Sequence, residues 1–168
     1  MTVVQQKICL LGEFAVGKTS LVRRFVEGRF DDRYLSTIGV KISRKALPRP
    51  AGELLLLIWD LAGGDEFSLQ SSYLRGAAGA LIACDLTRAS TLAAFDRYTE
   101  QLWALNPGAP VVFIGNKVDL VAERAITDAE LLAASQRLGG PCVRTSAKTG
   151  EQVEAAFALL AEQLEARR

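Results

Sequence analysis

Eight consecutive residues, Gly12-Glu13-Phe14-Ala15-Val16-Gly17-Lys18-Thr19, match the pattern G-x-x-x-x-G-K-[ST]. Glycines at both ends allow backbone angles and a close approach that a Cβ would obstruct, so successive N–H groups can turn around one dense anion. The amides of Glu13, Phe14, Ala15, Val16, Gly17, Lys18, Thr19 and Ser20 are therefore expected on the phosphates of a nucleotide, with the positive end of a following helix behind them. Lys18 is expected on the outer phosphates as a catalytic charge. The Thr19 hydroxyl is an oxygen ligand suited to Mg²⁺, a hard cation.

Three later segments carry polar groups of matching chemistry. Asp60 closes a Leu-rich run and is followed by Leu61-Ala62-Gly63. An acid there can hold Mg²⁺, and a glycine at 63 leaves its N–H open to a terminal phosphate. Asn116-Lys117-Val118-Asp119 and Ser146-Ala147-Lys148 each follow an apolar run. A carboxylate accepts two hydrogen bonds at once, matching the N1–H and exocyclic amine of guanine, a donor pair that adenine lacks. Asp119 is thus expected to select guanine, the stems of Lys117 and Lys148 to flank the purine, and the Ala147 N–H to meet the guanine O6.

The elements around these segments alternate between two periods. Residues 7–11 read as a buried strand and 18–27 as a helix with one apolar face. Residues 39–47 and 53–60 read as strands joined by the Pro48-Arg49-Pro50-Ala51-Gly52 turn. The continuous apolar run 54–59 is expected to be buried on both faces. Residues 65–75 are weakly helical, 78–85 and 110–116 are strands, and 91–105 is a helix. Thr127 and Glu130 form a capping box for a helix that Gly139-Gly140-Pro141 ends, and 142–145 is the last strand. Thr149 and Gln152 suggest a second capping box, opening a helix whose apolar stripe is Val153, Phe157, Leu160 and Leu164. Strands alternating with helices predict an α/β fold with a mostly parallel sheet, whose ligands bind at the carboxyl ends of the strands.

Composition narrows the classes. At 168 residues the chain suggests one domain, and a net charge of +1 offers nothing to a polyanion, so no nucleic-acid partner is expected. No apolar run reaches the roughly 18 residues of a membrane span. The absence of histidine excludes His-based triads and His-ligated metals. Cys9, Cys84 and Cys142 are far apart and sit in apolar runs, which reads as buried reduced thiols in a cytoplasmic protein.

In their order along the chain, these motifs resemble the Ras-like small GTPases over residues 1–168. Residues 34–40, Trp59-Asp60 and 73–79 are most similar to the Rab branch. The resemblance implies a P-loop NTPase fold, a six-stranded mostly parallel sheet with one antiparallel edge strand and five helices on both faces. It implies GTP/GDP and Mg²⁺ as ligands and a nucleotide-dependent switch. Thr37 would join Thr19 and Asp60 on Mg²⁺ and act in catalysis with Lys18, Gly63 and Gly64, while Phe30 would stack on the guanine. Residues 29–40 and 61–75 would be the switch segments, meeting an exchange factor, an activating protein and an effector. The protein would act as a monomer.

Departures from the family bear on chemistry. Its usual D-T-A-G-Q-E run is here Asp60-Leu61-Ala62-Gly63-Gly64-Asp65, so Gly64 replaces the glutamine that orients the attacking water. Phe14 stands where Gly or Ser is usual. Both changes are expected to slow hydrolysis, with a GTP-binding signalling or scaffold protein of negligible turnover as the alternative. The chain stops at Glu165-Ala166-Arg167-Arg168 with no prenylatable cysteine, so no direct membrane anchor is expected. Gly63-Gly64-Asp65-Glu66-Phe67 spells the G-G-D-E-F of diguanylate cyclases, but the upstream acids those enzymes use are lacking.

Overall fold

The computed structural model describes residues 2–33, 37, 39–63 and 71–168. Its strands are β1 (Thr2–Leu11), β2 (Val40–Arg49), β3 (Gly52–Leu61), β4 (Gly79–Asp85), β5 (Val111–Asn116) and β6 (Cys142–Thr145). They form one sheet in the order β2-β3-β1-β4-β5-β6. Among the described residues only the β2–β3 pairing is antiparallel; β1 runs parallel to β3 and β4, and β4, β5 and β6 continue parallel. The hairpin register pairs Arg49 with Gly52, leaving Pro50 and Ala51 as the turn. The helices are α1 (Lys18–Glu27), α2 (Ser90–Ala93), α3 (Phe95–Leu105), α4 (Asp128–Leu138) and α5 (Val153–Ala166). The expected α/β architecture is present. Among the described residues no helix is long and apolar enough to cross a membrane.

Two apolar layers flank the sheet because strand side chains alternate between faces. On one side α1 (Leu21, Phe25) and α5 (Val153, Phe157, Leu160, Leu164) cover Ile8, Leu10, Leu56, Ile58, Leu81 and Ile114. The rings of Phe25 and Phe157 stack with centroids 3.9 Å apart, locking α1 to α5. On the other side α3 and α4 cover Cys9, Leu11, Ile82, Cys84 and Phe113. Burying each such large side chain contributes about 1.5–3 kcal/mol before conformational entropy is subtracted.

Several expectations are corrected. The run 54–59 is fully buried on one face only: Leu54, Leu56 and Ile58 are enclosed, whereas Leu55, Leu57 and Trp59 are half-covered. The register explains it, since Gln5 and Lys7 of β1 and Arg44 of β2 pair with Leu55 and Leu57 and make that face polar. Thr149 and Gln152 form no capping box. Gln152 is itself the cap residue of α5, in a left-handed conformation with no side-chain cap bond. Thr149 lies three residues earlier, and its hydroxyl accepts from the Glu151 N–H at 3.2 Å. Cys142 is half-buried rather than buried. The helix expected over 91–105 is divided at Ala94 into α2 and α3. Of the weakly helical 65–75, residues 65–70 lie outside the described residues, and Ser71–Leu74 is a single 3-10 turn.

Candidate functional site

The parallel register sets the ends of β1, β3, β4, β5 and β6 at one edge of the sheet, and the chain turns there after every strand. The turn between β1 and α1 packs closely against its neighbours. Gly12 has φ 148° and a Cβ on it would lie 2.4 Å from the Ala83 carbonyl oxygen; Gly17 has φ 102° and a Cβ would strike the Asn116 amide at the same distance, 2.4 Å. Neither position admits a side chain. α1 then opens with no side-chain cap, in contrast to α4, where Thr127 and Glu130 complete the expected capping box. The first N–H groups of α1 are therefore left for an outside acceptor.

Beside this loop lies a cavity of about 370 Å³. Phe14, Ala15, Gly17, Lys18, Thr19 and Ser20 line it together with Phe30, Asn116, Lys117, Asp119, Ala147 and Lys148, and Thr37 and Gly63 are also on the wall. Segments from five places in the chain thus meet in one space of the size that holds a small ligand. Glu13, Val16, Asp60 and Ser146 stand behind the wall. Val16 is buried in the core, and its carbonyl accepts from Asn116 Nδ2 at 3.0 Å. Gly63 fits so tightly under the loop that a Cβ would come within 2.3 Å of the Gly12 carbonyl oxygen. Gly64 lies outside the described residues.

At the loop end, Thr19, Thr37 and Asp60 converge. Thr19 Oγ1 donates to Asp60 Oδ2 at 2.6 Å, Thr37 Oγ1 lies 3.4 Å from the same oxygen, and the two hydroxyls contact each other. The other carboxylate oxygen, Asp60 Oδ1, is buried without a partner among the described residues. Burial pushes the Asp60 carboxyl up from its usual range, against the hydrogen bonds from Thr19 and Thr37 and the charge of Lys18. A buried acid with an unmatched oxygen and two hydroxyls beside it is a donor set that a hard cation fits, because the ion supplies the missing charge. Lys18 Nζ donates to the Gly12 and Glu13 carbonyls at 2.9 and 3.1 Å. Burial brings its pKa down to about 8 despite the opposing charges of Asp60 and Glu13. An anion in the cavity would restore that charge its counterion.

At the far end, Asn116 is a hub. Its Oδ1 accepts from Thr145 Oγ1 at 3.0 Å and from the Ala147 N–H at 3.3 Å, while its amide holds the phosphate-type loop. Asp119 Oδ1 accepts from Ser146 Oγ at 2.8 Å. Lys117 takes a left-handed φ of 71°, a conformation costing a lysine about 1–3 kcal/mol. It sends its ammonium to the Ala15 carbonyl at 3.0 Å and to Asp85 at 2.8 Å.

Some contributors went unforeseen. Asp85, at the end of β4, also accepts from Arg88 Nε at 3.1 Å, and Arg88 Nη2 donates to the Phe14 carbonyl at 2.5 Å. Tyr98 OH donates to Glu13 Oε1 at 3.1 Å, and Arg97 pairs with the same carboxylate. Asp31, Asp32, Arg33, Ala62 and Leu120 complete the wall. Asp85 carried a readable signal: it closes its strand as Asn116 closes its own, with Asp60 one residue from the end of β3. Phe14 is 56% exposed.

Comparison with known proteins agrees with this arrangement. The model of the Ras family matches residues 7–166. The chain is 40% identical to GTP-binding protein ypt5 of Schizosaccharomyces pombe, over 96% of this chain and 78% of that protein. It is 36% identical to the human Ras-related protein Rab-31 (98% of this chain, 85% of that protein) and 34% identical to Ras-related protein RABD1 of Arabidopsis thaliana (94% and 78%).

Proposed function

This chain belongs to the Ras family of small GTPases, on the Rab branch, and from that premise we propose that its cavity binds GTP or GDP with Mg²⁺ and that the protein is a nucleotide-dependent switch hydrolysing GTP slowly. The observation that carries this reading is the meeting of the Gly12–Thr19 loop with Asp119 across one cavity. That loop suits a phosphate chain, and Asp119 suits a purine that donates from N1 and its exocyclic amine.

Each role follows from a group's surroundings. The phosphates would take the amides from Glu13 to Ser20, and Lys18 would leave its two carbonyls for the outer phosphate oxygens. Thr19, Thr37 and Asp60 would hold Mg²⁺, which when bound neutralises charge building up on the phosphates. Gly63 would offer its N–H to the terminal phosphate from its seat against Gly12 and Glu13. Phe30, Lys117 and Lys148 would enclose the base, while Asp119 and the Ala147 N–H read its edge. An in-line water then needs a group to orient it, and Gly64 has no side chain for the task. Phe14 adds a large ring beside the same phosphate and obstructs an arginine delivered by a partner. Residues 29–40 and 61–75 are the surfaces offered to an exchange factor, an activating protein and an effector.

Single-turnover hydrolysis with Mg·GTP tests the reading. The expected rate lies below the family's intrinsic value of about 10⁻⁴ s⁻¹; a rate at or above it, without a partner, contradicts slow turnover. Nucleotide content after purification separates the second reading, which Gly64 and Phe14 favour: retained GTP supports a signalling protein without useful hydrolysis, bound GDP supports the hydrolase.

A further inference from the structure

Arg24 stands in the last turn of α1, away from every motif, yet it reaches the far side of the cavity. Its Nε donates to the Ala147 carbonyl at 2.8 Å, and its Nη2 donates to the Lys148 carbonyl. Its stem lies along Gly150, where a Cβ would sit 3.6 Å from Arg24 Cδ. Two successive carbonyls on one planar fork fix the orientation of two successive peptide planes, which a single ammonium does not. On the inner side the same loop is held more loosely: the Ala147 N–H is 3.3 Å from Asn116 Oδ1, a long bond that a better acceptor can replace. α1 begins at Lys18 in the phosphate-type loop and ends three residues beyond Arg24. One helix thus runs from that loop to the carbonyls of Ala147 and Lys148.

Resting on the reading of the cavity as a guanine-nucleotide site, we propose that Arg24 is a positioning residue for base recognition. By gripping the Ala147 and Lys148 carbonyls from behind, it presents the Ala147 N–H to the O6 of guanine and keeps the Lys148 stem on the base. The bonds that Arg24 makes go to the backbone carbonyls of Ala147, Lys148 and Gly28. Its effect belongs to the part of the affinity that depends on O6, because pre-orienting a donor lowers the cost of ordering it on binding.

The test measures dissociation constants of the full chain, with Mg²⁺, for GDP, for inosine diphosphate and for 6-thioguanosine diphosphate. The first two share O6, and the third replaces it with a poor acceptor. Arg24→Gln is expected to weaken GDP and inosine diphosphate by about tenfold each and 6-thioguanosine diphosphate by about threefold or less, the loss of roughly one oriented hydrogen bond. Arg24→Lys, which keeps the charge and reaches one carbonyl, is expected to fall between Arg24→Gln and the unaltered protein. Equal losses for all three nucleotides, or no loss for any, overturn the proposal. If the unaltered protein binds ADP as tightly as GDP, the guanine reading beneath the proposal fails, which no outcome in the Arg24 series imitates.

Discussion

Asp85 shows how one side chain organises the cations around a loop. It accepts from Lys117 at 2.8 Å and from Arg88 at 3.1 Å, and those two donate to the Ala15 and Phe14 carbonyls. Burial alone would raise its pKa, but the hydrogen bonds from Lys117 and Thr87 outweigh that and hold it below the usual carboxylate value. Because the folded pKa is depressed, the stability it contributes is complete above the unfolded value of about 4 and is lost as pH falls through the folded one. Asp85→Asn is expected to cost roughly 1–3 kcal/mol at pH 7, since both cations are partly exposed and screened. The gap from the unaltered protein should narrow below about pH 4, as urea unfolding from pH 3 to 7 would measure. Position 64 is the other residue-scale test. On the proposed reading, Gly64→Gln would supply a water-orienting amide and is expected to raise the single-turnover GTP rate by about tenfold or more; an unchanged rate would contradict that role for position 64.

The helices differ in how their amino ends are satisfied, and α4 and α1 stand at opposite limits of that difference. In α4 the Thr127 hydroxyl accepts from the Glu130 N–H at 3.1 Å and the Glu130 carboxylate accepts from the Thr127 N–H at 3.2 Å. Thr127→Ala is expected to cost about 1 kcal/mol, read as a lower urea midpoint at constant slope, with nucleotide affinity unchanged. α1 has no such cap, and its stability comes instead from Leu21, Val22 and Phe25 in the core. The capping box of α4 and the buried stripe of α5 were legible because both depend on residues within one or two turns. The false capping box at Thr149 obeyed the same spacing rule. It failed because the 146–152 loop is closed by longer bonds, Ser146 N–H to the Glu151 carbonyl and Gly150 N–H to the Ser146 carbonyl, at 3.1 and 2.8 Å. Local spacing carries no information about such closure.

For the whole molecule, the cavity is a seam where segments from five places in the chain meet. A ligand there binds the folded chain and not the unfolded one. Removing nucleotide and Mg²⁺ with a chelator is therefore expected to lower Tm by about 10 °C relative to protein in nucleotide at a thousand times Kd, a linkage of about 4 kcal/mol. Differential scanning fluorimetry across nucleotide concentration measures it. A Tm that does not move means the seam is not the ligand site.

What each motif is chemically equipped to do was decided by residues adjacent in sequence: two glycines, a lysine and a threonine after one strand, single acids after others. Strand and helix periods are likewise local, which is why the α/β order was readable before any coordinates. The bonds of Arg24 to Ala147 and Lys148, of Arg88 to Phe14, of Arg97 to Glu13 and of Lys117 to Ala15 were not readable, for they span 74 to 124 residues. They exist only once the parallel register brings the strand ends together. A hydrogen bond requires its atoms within about 3 Å, and only the closed sheet sets distances that fine between segments so far apart along the chain.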